Sequence, residues 1–181
     1  MGWRLKKTVV LVGMMGAGKT AVGTQLARLL GVGFLDSDEE IVKAANMTIA
    51  EIFERDGEPF FRLKEAQVIA RLLRGRPGVL STGGGAFLQG ANRAEIAAHG
   101  VSVWLKADLE LLWTRVRHKS TRPLLKTADP KGTLAALMAA REPVYAQADM
   151  TVISRPELTV EAMAENVLAA LMARPDVLER K

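Results

Sequence analysis

Hydrophobic and polar positions follow two rhythms along this chain. Short runs apolar on both faces, such as residues 8–13 (TVVLVG), predict strands buried in a parallel sheet. Between them, apolar residues three and four apart predict amphipathic helices. After the strand at 8–13, a helix spans 18–30, with Val22, Leu26, Leu29 and Leu30 at helical spacing and Gly31 as its stop. A strand at 33–38 (GFLDSD) ends in acids, and helices follow at 38–56 and 58–74 with a break near Asp56-Gly57. A third strand at 78–85 (GVLSTGGG) runs into glycines, followed by a helix at 91–99, a strand at 101–107 and a helix at 108–117. Residues 117–132 carry little apolar periodicity, four basic side chains before Pro123 (His118 included) and a second proline, which predicts a mobile loop. A helix at 132–147, a strand at 149–154 and a helix at 158–173 close the pattern, and the tail at 174–181 is expected to fray.

Alternating strands and helices predict an α/β fold, a parallel sheet with helices on both faces. The 181 residues suit a single domain, with helices at about 37–74 on the acceptor side and a lid at about 117–132. No repeat or low-complexity linker divides the chain.

Composition narrows the class. Hydrophobic residues make up 49% of the chain, enough for a core at this length. With no cysteine, disulfides and thiolate metal sites are excluded, which suits a reducing cytoplasm. The basic start before a short apolar run fits a signal peptide poorly, and no window reaches the roughly 20 apolar residues of a membrane span. A cytoplasmic protein without membrane attachment is expected. The net charge of +5 admits anionic partners, but 5% aromatic residues and no dense basic block give no stacking platform for nucleic acid. Small anions are the expected partners.

The strand at 8–13 ends in Gly13-Met14-Met15-Gly16-Ala17-Gly18-Lys19-Thr20, which fits G-x(4)-G-K-[ST] at every fixed position. Glycines let backbone N–H groups converge on phosphate oxygens, and the helix that follows points its positive end at the same place. Lys19 can reach the β- and γ-phosphates, and the Thr20 hydroxyl can bind Mg²⁺. Asn46, Asn92 and Asn166 are not followed by lysine, so no N-K-x-D guanine reader is present and ATP is the expected nucleotide.

The cradle names the donor, not the acceptor. In open parallel sheets ligands sit beyond the carboxyl ends of the strands. Those ends bring Asp36 and Asp38, then Gly83, Gly84 and Gly85. If the chain is extended there, Asp36 and Asp38 point to one side; alternatively they cap the helix that starts near Ser37. Three consecutive glycines suit a backbone that approaches a ligand closely. Arg62 and Glu65, three apart, form either a solvated surface bridge or a held arginine ready for a bidentate carboxylate. His99 and His118 stand alone, so no metal beyond nucleotide-bound Mg²⁺ is indicated.

Together, GMMGAGKT (13–20), FLDSD (34–38), FFRLKE (60–65), STGGGAF (81–87), RPLL (122–125) and REPVY (141–145) resemble the shikimate kinases, in that family's order over about residues 8–155. The resemblance implies a three-layer P-loop fold like the nucleoside monophosphate kinases, with a five-stranded parallel sheet in order 2-3-1-4-5. It implies transfer of the ATP γ-phosphoryl to the 3-hydroxyl of shikimate, in aromatic amino-acid biosynthesis. Gly16, Ala17, Gly18, Lys19, Thr20 and Ala21 would bind ATP, with Thr20 and, through water, Asp36 on the Mg²⁺. Asp38 would bind the substrate hydroxyls and act as base. Arg62 and Arg141 would hold the carboxylate, with Glu65 positioning Arg62. Gly83, Gly84 and Gly85 would line the substrate site, Gly84 in direct contact. Arg122 would close over the phosphates as a catalytic lid residue. Arg115 or Arg117 on one side and residues 154–156 on the other are the adenine candidates, with Arg117 placed in the ATP set. A monomer is expected. A gluconate kinase, a nucleoside monophosphate kinase and a non-catalytic ATP-binding regulator are the competing readings.

Overall fold

The computed structural model of the chain describes residues 2–118 and 126–181. Its centre is β2 (Thr8–Val12), buried at every position as its unbroken apolar run requires. Parallel to it lie β4 (Val79–Ser81) on one side and β5 (Gly100–Lys106) on the other. β3 (Phe34–Asp36) and β6 (Met150–Ile153) are the outer strands, so the sheet order is β3-β4-β2-β5-β6. Counted over these five strands, that is the expected 2-3-1-4-5. The switch point falls at β2, where the crevice for a ligand opens.

The helices α1 (Lys19–Leu30) and α7 (Val160–Met172) pack together through residues such as Leu26, Leu30, Val167 and Leu171, all buried in the main core. α4 (Gly90–His99), α5 (Leu109–Val116) and α6 (Pro130–Tyr145) contribute Ile96, Leu112 and Leu134 to the same core. A second, smaller core of Ile41, Ile52, Phe61 and Val68 joins α2 (Ser37–Ala45) to α3 (Ile49–Leu73). The acceptor-side helices therefore carry their own apolar centre.

Four details differ from the sequence expectations. The helix expected at 38–56 is two helices, because Asn46 adopts a left-handed conformation (φ 52°) that ends α2. Thr48 then caps α3: its Oγ1 accepts from the Glu51 N–H at 3.1 Å and its hydroxyl donates to the Glu51 carboxylate at 3.0 Å. The break at Gly57 is present as a kink (φ 83°, ψ 169°) inside α3. Helix α2 starts at Ser37, so Asp38 is not extended, and an extended chain is not what brings Asp36 and Asp38 to one side. α6 starts at Pro130, inside the stretch expected to be loop, with the Asp129 carboxylate accepting from the Gly132 N–H.

The expected frayed tail is a correction. Leu178–Arg180 forms β7, antiparallel to β1 (Trp3–Leu5), in a separate two-stranded sheet. Glu179 pairs with Lys6 at 2.8 Å and Arg4 at 3.4 Å, and Arg180 lies over the Trp3 ring. Neither segment shows a hydrophobic rhythm, since three residues are too short for one. Val177 and Leu178 are nonetheless buried in the main core, with Trp3 and Leu5 packed against it, and cross-strand pairs add to that hold.

Candidate active site

The carboxyl ends of β2, β3 and β4 open onto a cavity of about 580 Å³. Its donor end is the loop between β2 and α1. Gly13, Gly16 and Gly18 all have positive φ (147°, 80° and 94°), which only glycine adopts at low cost. Space also requires them: a Cβ on Gly16 would stand 2.6 Å from a Val116 methyl, and one on Gly13 2.9 Å from the Leu105 carbonyl oxygen. Gly16, Ala17, Gly18, Lys19, Thr20 and Ala21 all line the cavity, as expected of a phosphate cradle. The Lys19 ammonium donates to the Gly13 carbonyl at 2.5 Å and to the Met14 carbonyl at 3.3 Å.

Asp36 and Asp38 stand opposite Lys19 on the same cavity. One Asp36 oxygen caps α2, accepting from the N–H of Asp38 at 2.9 Å and of Glu39 at 3.2 Å. The capping alternative is therefore real for Asp36, and its second carboxylate oxygen is not part of that cap. Asp38 lies in the first helical turn, with Oδ1 buried and without a donor among the described residues. Burial raises its pKa above the usual carboxylate value, the Asp36 charge adds to this, and Lys19 and Arg62 oppose it. A buried carboxylate oxygen without a donor, beside a phosphate cradle, is suited to accept from a ligand hydroxyl.

The glycine loop after β4 explains why three glycines stand in a row. A Cβ on Gly83 would lie 3.0 Å from Asp38 Oδ1, one on Gly84 3.0 Å from Arg141 Nη1, and one on Gly85 2.5 Å from Arg62 Nη2. Each missing side chain makes room for one charged group. Arg62 is no surface bridge: its Nη1 donates at 2.9 Å to Glu65, whose side chain is only 1% exposed. Glu58 approaches the Arg62 Nε at 3.5 Å as a looser ion pair. Burial raises the Glu65 pKa, and the Arg62 guanidinium pulls it back down.

At the far end of the cavity, the structure favours Arg115 over Arg117. Arg115 lines it, donating to the Gly16 carbonyl at 2.9 Å and approaching the Ser154 hydroxyl at 3.5 Å. Arg117, the other adenine candidate, is exposed, donates to His118, and is not among the residues that line the cavity. Arg122 lies outside the described residues. Among those described, no group of three or more His, Cys, Asp or Glu side chains could hold a metal ion. Thr20 and Asp36, both on the cavity wall, fit a Mg²⁺ carried in by a nucleotide.

Sequence reasoning missed the groups behind the loop. Tyr145 donates its hydroxyl to the Gly84 carbonyl, Asn92 donates to the Ala86 carbonyl, and Arg93 donates to the Phe87 carbonyl. It also missed Leu158, Thr159, Val160 and Met163 on the cavity wall. The one local signal was a buried aromatic four residues after Arg141, the spacing of one helix face.

The shikimate kinase profile matches residues 15–172. The chain belongs to the shikimate kinase family. It is therefore an ATP-dependent kinase. A shikimate kinase from Cereibacter sphaeroides is 72% identical over 176 residues, 97% of this chain and 88% of the relative. One from Ruegeria pomeroyi is 69% identical, over 97% of this chain and 90% of that one. Among solved structures, a shikimate kinase from Acinetobacter baumannii in complex with shikimate superposes with a TM-score of 0.87 at 38% identity, covering 93% of this chain and 94% of that one.

Proposed function

We propose that the chain transfers the γ-phosphoryl of ATP to the 3-hydroxyl of shikimate, giving shikimate 3-phosphate and ADP for aromatic amino-acid biosynthesis. One observation carries the reading: the three glycines seat Asp38, Arg141 and Arg62 side by side next to the cradle. Two guanidiniums suit a carboxylate, and the carboxylate of Asp38 suits a hydroxyl at the other end of a small ring.

ATP lies with its phosphates on Gly16–Ala21 and its adenine toward Arg115 and Ser154. Lys19 meets the β- and γ-phosphates. Thr20 and, through water, Asp36 would hold the Mg²⁺ that accompanies ATP, and the ion would neutralise phosphate charge. Arg62, fixed by Glu65, and Arg141 take the shikimate carboxylate, which turns the 3-hydroxyl toward Asp38. The hydroxyl oxygen bonds to the γ-phosphorus as the bond from that phosphorus to the β,γ-bridging oxygen breaks, and Asp38 accepts the hydroxyl proton. Positioning and charge account for most of such a barrier reduction. Arg122 adds a charge over the phosphates, a role supported by its RPLL motif. One chain supplies every group in this scheme, which supports a monomer. Among the described residues no helix is long and apolar enough to cross a membrane, and with the absence of cysteine this supports a cytoplasmic setting.

The test is ADP release, coupled and measured against a panel of acceptors. Release that depends on shikimate, with the phosphate placed on the 3-oxygen by NMR, is the expected result. Equal or faster turnover of gluconate, AMP or CMP would overturn the assignment, and ATP binding without turnover of any acceptor would make the chain a regulator.

A further inference from the structure

Tyr145 has the largest fully buried side chain in the described structure, and no step above uses it. It ends α6, one turn beyond Arg141. Its ring packs against Trp104 of β5, with centroids 5.9 Å apart, and its hydroxyl donates to the Gly84 carbonyl at 2.5 Å. A buried tyrosine keeps its hydroxyl only where a partner satisfies it, and here the partner is the middle residue of the glycine loop. Arg141 stands on the same side of this residue: a Cβ on Gly84 would be 3.0 Å from Arg141 Nη1 and 3.8 Å from the Tyr145 hydroxyl. The two side chains, four residues apart on one helix face, thus stand together against Gly84. Burial raises the Tyr145 pKa, with the nearby Arg141 charge opposing, so the hydroxyl remains a donor at neutral pH.

The neighbouring carbonyls are tied from behind in the same way. Asn92 holds that of Ala86 at 2.9 Å and Arg93 that of Phe87 at 2.7 Å. Within the loop the Gly83 and Gly85 carbonyls accept from the Ala86 and Leu88 N–H groups at 3.1 and 3.2 Å, so every carbonyl from Gly83 to Phe87 has a donor.

We propose that Tyr145 is a positioning residue for the acceptor site: its hydroxyl orients the Gly84 peptide and, with it, the place of the Arg141 guanidinium. The inference rests on the reading that the glycine loop and Arg141 receive shikimate. It gives α6 a second task beyond carrying a carboxylate-binding arginine, because the same helix sets the backbone that the substrate meets.

Tyr145→Phe keeps the ring and its packing and removes only the hydroxyl. The expected result is a KM for shikimate raised about tenfold, as for a buried carbonyl left without its donor, with the KM for ATP within about twofold of the parent. Calorimetric titration of shikimate onto the variant should show the same loss. A shikimate KM within about twofold of the parent overturns the proposal. So does a parallel rise in both KM values, which would mark Tyr145 as support for the fold as a whole. The parent protein's shikimate-dependent ADP release, measured beside it, tests the functional reading separately. Failure there removes the reading itself; an active parent with an unaltered variant removes only the assignment of Tyr145.

Discussion

At the donor end of the cavity, Gly13 to Thr20 are consecutive, and the loop takes its shape from its own glycines, with φ of 147°, 80° and 94°. At the acceptor end, Asp38, Arg62, Gly83–Gly85 and Arg141 come from α2, α3, the loop after β4, and α6. The glycines of the first end serve backbone conformation, and at Gly13 and Gly16 space as well. Gly85 at the second has an ordinary φ of −91° and serves space, leaving room for the Arg62 guanidinium. The same residue type therefore does two jobs. A binding loop made of neighbours in sequence can be transplanted between enzymes, whereas a site made of four distant segments belongs to its fold.

The largest effect expected from breaking this division is at Asp38. Asp38→Asn should lower kcat by about 10²–10⁴ while ATP still binds, as loss of a proton acceptor does. Turnover near that of the parent would remove Asp38 from the transfer step. The same variant has a stability consequence. Burial disfavours the charged form of Asp38, so the folded protein loses stability as pH rises from the ordinary carboxylate value through the raised one. Asn carries no such cost. Asp38→Asn should melt higher than the parent at pH 7, and the gain should shrink at pH 3, below the ordinary carboxylate value, where the parent carboxylate is protonated too. An equal difference at both pH values would contradict the assigned cause.

A smaller effect is expected at Arg62. Arg62→Lys keeps the charge but cannot hold Glu65 and a carboxylate with one planar fork, so the KM for shikimate should rise about tenfold with that for ATP unchanged. The smallest belongs to a site at neither end. Glu179→Ala removes two exposed ion pairs of the β1–β7 ribbon and should shift Tm by about 2 °C at most, less in high salt. A larger shift would make the ribbon a main support of the fold.

The unequal construction of the two ends also explains what could be read in the sequence. The sheet order came with the family resemblance, and the buried run at Thr8–Val12 marked its centre. The cradle was legible residue by residue. Asp38, Arg62 and Arg141 were visible as motif members, but bottom-up reading left Arg62 undecided between surface and site, because burial of Glu65 depends on packing from other elements. Tyr145 and Arg115 bond to carbonyls 61 and 99 residues away in sequence, and only the packed fold reveals those partners. The β1–β7 ribbon was missed for the same reason: its three-residue strands find each other only once the helices between them have packed.

The central claim, that the two ends are separately built and separately readable, is tested by one paired measurement: the KM for each substrate in Gly16→Ala and Gly85→Ala. In Gly16→Ala the new methyl meets a strained backbone and Val116, and the KM for ATP should rise while that for shikimate holds. In Gly85→Ala it displaces the Arg62 guanidinium, and the KM for shikimate should rise while that for ATP holds. Both KM values rising together in either variant would contradict the account.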